Sequence, residues 1–140
     1  YTKPSTEKRF YILDLLQKKL LLSTYVAHGR GSGDNYAVAF SNRPGSYQSS
    51  LGFFRTGDTY MGKNGYSLFL DGLEKGINDK ARERAIVVHG ANYADPAVLK
   101  GQQRLGRSLG CPALPPDISK QVIDTIKGGV LLYIYGLNKA

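Results

Sequence analysis

The chain holds one cysteine, Cys111, in the run Ser108-Leu109-Gly110-Cys111-Pro112, and two histidines, His28 and His89. A lone cysteine cannot close an internal disulfide or build a cysteine-rich zinc site. Three uses remain: a buried thiol, an intermolecular bridge or a nucleophile. The flanks favour the nucleophile. Gly110 lets backbone approach a ligand closely, and Pro112 fixes the chain just past the thiol. His89-Gly90 closes Ala85-Ile86-Val87-Val88, an apolar run that reads as a buried strand. A strand-end imidazole and a loop thiol are the halves of a thiol–imidazole pair, which meets in space rather than in sequence.

The chemistry of such a pair is acyl transfer. A thiol of pKa about 8.5 is mostly protonated at neutral pH, and a neighbouring imidazolium lowers that value so that thiolate is available. Cys111 then attacks an amide carbonyl, and His89 hands a proton to the departing amine. The resulting thioester passes to an incoming amine. The backbone N–H groups of Leu109, Gly110 and Cys111 are placed to form an oxyanion hole, where losing one donor typically raises a barrier by about 2.7–4 kcal/mol. Arg107, Asn92 and Tyr93 are candidate groove residues, and Ser108 reads as support within the loop that also borders substrate. His28 ends a second strand just before a glycine loop and reads as a solvated strand-end histidine.

The elements that must position these residues are mostly β. Arg9 to Leu16 and Leu20 to Ala27 read as a hairpin across a polar turn. Tyr36 to Phe40, Leu51 to Gly57 and Tyr66 to Gly72 read as further strands. Asn78 reads as the cap of a short helical turn leading into the strand that ends at His89. Pro116 to Lys127 reads as a helix, with proline at its start, Asp117 in its first turn and an apolar face of Ile118, Val122, Ile123 and Ile126. Gly128-Gly129 stops it, and Val130 to Tyr135 is a final strand. Between Gly90 and Pro115 lie 26 residues of little periodicity. Loops beyond about 12–15 residues usually carry function, and this one starts at the histidine and contains the cysteine.

Composition bounds the rest. The 140 residues, 41% hydrophobic and 21% charged, suit one globular domain. The expectation is a mainly β, β-rich α+β fold over residues 1–140, with residues 1–8 a loose N-terminal tail. Nineteen Lys and Arg against eleven Asp and Glu give a net charge of +8, which favours polyanionic surroundings. The cations are scattered, with no basic helix or aromatic ribonucleoprotein motif, so no nucleic-acid partner is expected. No apolar run approaches the roughly 20 residues of a membrane span. Gly29-x-Gly31-x-Gly33 lacks the Lys-Ser/Thr of a phosphate loop. The start at Tyr1, without methionine or leader, reads as a mature or trimmed fragment.

His89-Gly90 with Ser108-Leu109-Gly110-Cys111 resembles the L,D-transpeptidase catalytic domain, the cysteine enzyme of bacterial peptidoglycan cross-linking. The likeness covers nearly the whole chain. Ile86-Val87-Val88-His89-Gly90-Ala91 and Gly106-Arg107-Ser108-Leu109-Gly110-Cys111-Pro112-Ala113-Leu114 are similar to its murein L,D-transpeptidase branch. The resemblance implies an L,D-transpeptidase-type β-sandwich or barrel with one C-terminal-side helix packed on it. It also implies a His89 ring nitrogen held by the Gly90 carbonyl, and a groove covered by an aromatic hairpin bearing Tyr60 and Tyr66. It implies a donor stem tetrapeptide, transfer of its acyl group to a side-chain amine, and a periplasmic or extracytoplasmic wall location. Peptidoglycan stem peptides are then the partners of a monomer that uses no cofactor and no metal. Leu109 stands where the better-known branch has histidine, and Pro112-Ala113-Leu114 where it has arginine or asparagine. The substrate-carboxylate contact must therefore come from elsewhere, and Arg107 is nearest. Two alternatives stand beside this reading: an L,D-carboxypeptidase or related hydrolase with water as acceptor, and an inactive cationic wall-binding module. A thiol kept beside an imidazole argues against the module.

This reading predicts that Cys111→Ala and Cys111→Ser fold normally and lose turnover. Circular dichroism with a stem-peptide assay checks it, and wild-type rates in folded Cys111→Ala would overturn it.

Overall fold

The computed structural model describes residues 1–139. Alternation in Phe10-Tyr11-Ile12 buries the two apolar side chains and exposes Tyr11, which commits the segment to a strand. That strand, β1 (Phe10–Asp14), pairs antiparallel with β2 (Lys19–Thr24). The second sheet contains β3 (Gly52–Gly62), β4 (Gly65–Gly72), β5 (Val87–Gly90), β6 (Ala113–Leu114) and β7 (Leu131–Ile134), in the order β6-β5-β4-β3-β7. All its pairings are antiparallel except β5 with β6. The fold is mainly β with one helix, α1 (Pro116–Ile126), packed on β4 and β5.

The sheet's register separates core from site. Phe54, Leu68, Leu70 and Val88 point to one face and meet Val122, Ile123 and Ile126 of α1 in the main core. Each such buried Val, Leu, Ile or Phe contributes roughly 1.5–3 kcal/mol. Phe10, Ile12 and Val26 of the hairpin region join the same cluster. Thr56 ties the helix end to the sheet: its Oγ1 donates to the Ile126 carbonyl at 2.6 Å and accepts from Val130 N at 2.8 Å. The opposite face carries Ser67 and His89, directly paired across β4 and β5. Among the described residues, no helix is long and apolar enough to cross a membrane.

Several expectations need correction. Tyr36–Phe40 alternates like a strand but forms none, because no neighbouring strand offers it a ladder; Val38 N and Ala39 N instead share the Ser32 carbonyl. β3 runs past Gly57 to Gly62, so the aromatic, glycine-rich stretch is a β3–β4 hairpin. The segment from Gly90 to Pro115 is not wholly irregular, since it contains 3-10 turns at Asn92–Ala94 and Pro96–Lys100 as well as β6. Residues 1–8 are docked rather than loose. The Tyr1 ring stacks on Phe40 and meets the His28 ring edge-on, and buried Ser5 binds Asn35 and the Leu105 N–H.

His28 is buried, not solvated, at 1% exposure. Its Nε2 lies 3.2 Å from the Gly33 carbonyl, which can only accept, so Nε2 carries the proton and Nδ1 accepts from Arg9 Nη2 at 2.8 Å. Burial, then the Arg9 charge, push its pKa down to about 4. The unfolded chain therefore binds the extra proton first. Stability from this site is complete above the unfolded value near 6.5 and is lost as pH falls toward 4, by up to about 3 kcal/mol. Denaturant melts from pH 7 to 4 should show this loss in the wild type and a flatter profile in His28→Gln. Parallel profiles would contradict the assignment.

Candidate active site

Cys111 sits at the open end of the parallel β5–β6 pair. His89 pairs with Ala113 and donates from its backbone N to the Pro112 carbonyl, so Cys111 comes level with Val87. The Val87 N–H donates to Sγ at 3.4 Å, and the thiol donates to the Ala85 carbonyl at 3.4 Å. Ala85 has φ +57°, the left-handed region that a residue with a Cβ seldom enters. The backbone from Ala85 to Val87 thus grips the sulfur, and His89 follows two residues later on the same strand.

The loop carrying the thiol is held from its other side by residues 27–30. Ala27 bridges Ala113, Ser108 N donates to the His28 carbonyl at 2.9 Å, and Arg30 N donates to the Ser108 carbonyl at 2.8 Å. Ser108 is buried, its Oγ donating to the Cys111 carbonyl at 2.6 Å and accepting from Gly110 N at 3.1 Å. Both of these contacts are internal to the loop, which Ser108 thereby shapes. Gly110 has φ +128°, and a Cβ there would come within 2.9 Å of Ile86 Cδ1. No other residue fits that position without displacing its neighbours.

The three N–H groups expected as oxyanion-hole donors differ in their hydrogen bonds. Gly110 N–H is committed to Ser108 Oγ. Among the described residues, the N–H groups of Leu109 and Cys111 have no partner and remain as donors. His89 Nδ1 lies 2.9 Å from the Gly90 carbonyl. A carbonyl only accepts, so Nδ1 carries the proton and Nε2 keeps its lone pair for work as a base. Gly90 is needed for packing as well, since a Cβ there would lie 2.5 Å from Ser119 Oγ at the start of α1.

The electrostatics run opposite to the sequence expectation of an imidazolium that lowers the thiol. Burial pushes the Cys111 thiol up, with the Val87 N–H, Arg84 and Lys63 opposing it. Burial pushes His89 down, opposed by its bond to Gly90. Around neutrality the resting pair is therefore neutral thiol and neutral imidazole. Among the described residues no hydrogen bond joins Cys111 to His89.

The remaining candidates separate. Tyr60 pairs with Ser67, which pairs with His89, so Tyr60 lies in the His89 row two strands away, its ring stacked on Phe69 at 4.3 Å. Tyr66 leaves the groove: its hydroxyl donates to Asp124 of α1 at 2.5 Å. Tyr93 is half-buried against Gly106, and burial together with the Cys111 charge raises it to about 12. Asn92 is exposed. Arg107 is half-buried and reaches the Gly33 and Arg30 carbonyls at only 3.3 and 3.4 Å. Three participants went unread in the sequence. The Val87 N–H and the Ala85 carbonyl are backbone groups and carry no residue signature, while Arg84 looks like one surface cation among many. Among the described residues no cluster of His, Cys, Asp and Glu could hold a metal ion.

Fold and site together define a mainly β domain that presents one thiol and one imidazole at the edge of its larger sheet. Residues 1–135 match the family model of the L,D-transpeptidase catalytic domain, and the chain belongs to that family. No curated protein matches it. Among solved structures it is similar to an L,D-transpeptidase from Mycobacterium smegmatis, at 13% identity and a TM-score of 0.49, over 84% of this chain and 50% of that one. The chain spans about half the length of that protein.

The raised thiol gives a pH prediction. Alkylation of Cys111 by a small neutral electrophile should climb about tenfold per pH unit through neutrality and still be rising at pH 9, the ordinary value for this group. A plateau below pH 7 would show a resting thiolate and contradict the neutral pair.

Proposed function

We propose that the domain is a cysteine acyltransferase that cross-links peptidoglycan stem peptides. Cys111 is the nucleophile and His89 its base. One observation carries this reading: the chain's single thiol lies level with Val87, two residues before His89 on the same strand, and the His89 Nδ1 proton is fixed on the Gly90 carbonyl, leaving Nε2 free. A donor stem tetrapeptide presents an amide carbonyl to Sγ. Rotation about the Cys111 side chain frees the S–H from the Ala85 carbonyl, and His89 Nε2 takes its proton as the C–S bond forms. The N–H groups of Cys111 and Leu109 stabilise the oxygen that becomes negative. The imidazolium then protonates the departing amine, the C–N bond breaks, and a thioester remains. An incoming amine loses its proton to Nε2 as it attacks, and the thiol returns to Ala85.

The excess of eight positive charges suits a wall rich in carboxylates, in keeping with a domain that works outside the cytoplasm. Tyr60, Tyr93, Asn92 and Arg107 serve as groove residues in this reading, and Arg107 anchors the substrate carboxylate with the N–H groups its weak carbonyl contacts leave available.

Mass spectrometry of purified tetrapeptide stems with and without an acceptor amine tests the reaction. A cross-linked product is expected with the amine present. Release of a shortened peptide alone would make the domain a hydrolase, and no product would overturn the acyl-transfer reading. A carbapenem should add one drug mass to the wild type and none to Cys111→Ala, with acylation sharply slowed in His89→Ala. Arg107→Gln should lower turnover of a soluble stem peptide roughly ten- to a hundredfold, about 1.5–3 kcal/mol, while Lys18→Gln leaves it unchanged. Equal behaviour of the two variants would remove Arg107 from the groove.

A further inference from the structure

Arg84 is half-buried directly behind the cysteine loop. Its Nη1 donates to the Ser41 carbonyl at 2.9 Å and to Ser50 Oγ at 2.8 Å. Its Nη2 donates to Ser46 Oγ at 3.2 Å and to the Gln48 carbonyl at 2.8 Å. The guanidinium thereby gathers residues 41–50 into an arch. Gly110 packs under that arch: a Cβ on it would lie 3.1 Å from the Gln48 carbonyl and 3.5 Å from Arg84 Nη2. All four acceptors are neutral oxygens. Among the described residues Arg84 forms no ion pair, whereas Arg82, two residues earlier, binds Asp71 through both carboxylate oxygens. A cation held by a rigid fork with its charge unneutralised is positioned for an anion that exists only part of the time.

We propose that Arg84 is a positioning residue, held by the 41–50 arch as the fixed counter-charge of the Cys111 thiolate. The inference rests on the reading of Cys111 as the nucleophile. Continuity of the chain supports it, because Arg84, the Ala85 carbonyl, the Val87 N–H and His89 fall on one six-residue stretch. The two groups also feel each other's charge: Arg84 draws the thiol down and the thiolate draws Arg84 up, each against burial. The other titratable groups facing the sulfur are Lys63, which assists, and the phenols of Tyr1 and Tyr93, whose ionisation the thiolate opposes. As the S–H proton passes to His89, the negative charge forms beside a dipole and a cation that need no reorganisation. Arg84 touches neither substrate nor the reacting carbonyl, and acts through Cys111.

The test compares Arg84→Gln with Arg84→Lys. Both lose the four-bond fork, but lysine keeps the charge. Thiolate absorbance, with the Cys111→Ser protein as blank, reads the titration without substrate, so it stands even if the stem-peptide assay fails. The midpoint should rise by about one unit in Arg84→Gln, making alkylation at pH 7 about tenfold slower, and Arg84→Lys should recover most of that loss. A folded Arg84→Gln with the wild-type midpoint, or equal shifts in both variants, would reduce Arg84 to a structural staple. If Arg84→Gln does not fold, Ser46→Ala combined with Ser50→Ala loosens the fork and leaves the charge. A smaller rise in midpoint is then expected, and none would overturn the proposal. Normal titration shifts without any peptide turnover would instead count against the assigned reaction alone.

Discussion

A parallel pair only two residues long, β5 with β6, sets the position of everything chemical in this domain. It exists because the Ala27–Arg30 segment presses Ala113 and Ser108 from one side while β5 receives Ala113 and Leu114 from the other. Two-residue pairings are weak alone, and this one survives by being the middle layer. Its register, His89 to Ala113, brings the cysteine level with Val87, where two backbone groups receive the sulfur. A slip of one residue would turn Cys111 to the other face of the sheet and away from His89. Burial of His28 and Arg9 beneath the clamp matters for the same reason, since Arg9 donates to the Val26 carbonyl and to His28 at once.

The resting electrostatics follow from that burial. A desolvated thiol and a desolvated imidazole each favour the uncharged form, so the site stores no ion pair. In the proposed reaction charge separates only as bonds change, and the Val87 N–H already contacts the sulfur on which negative charge would develop. Such a neutral resting thiol also resists adventitious oxidation, because the thiolate is the reactive form.

Much of the fold could be read from the chain. Apolar runs across a polar turn marked the β1–β2 hairpin, a continuous apolar run marked β5, and a proline start with a four-residue apolar stripe marked α1. The misread parts share a cause: they depend on partners distant in sequence. Tyr36–Phe40 has strand alternation but no neighbour to pair with. His28 carries no local sign that Arg9, nineteen residues earlier, buries it. Residues 1–8 lack periodicity, yet Tyr1 and Ser5 are pinned by Phe40, Asn35 and Leu105. Within the candidate site, Cys111 and His89 stood out by side-chain type, while the contact of His89 with the Gly90 carbonyl was implied by the family resemblance. The commitment of Gly110 N–H to Ser108, and the grip of Ala85 and Val87 on sulfur, are backbone geometry that no residue name encodes.

The central claim is that the acyl group passes through sulfur at position 111. Rapid acid quench of the domain during turnover of a stem tetrapeptide, followed by peptide mapping, addresses it most directly. The account predicts a mass increase equal to the acyl portion of the donor, confined to the peptide containing Cys111 and removed by hydroxylamine. An unmodified Cys111 peptide at full turnover, or the added mass on any other residue, would contradict it.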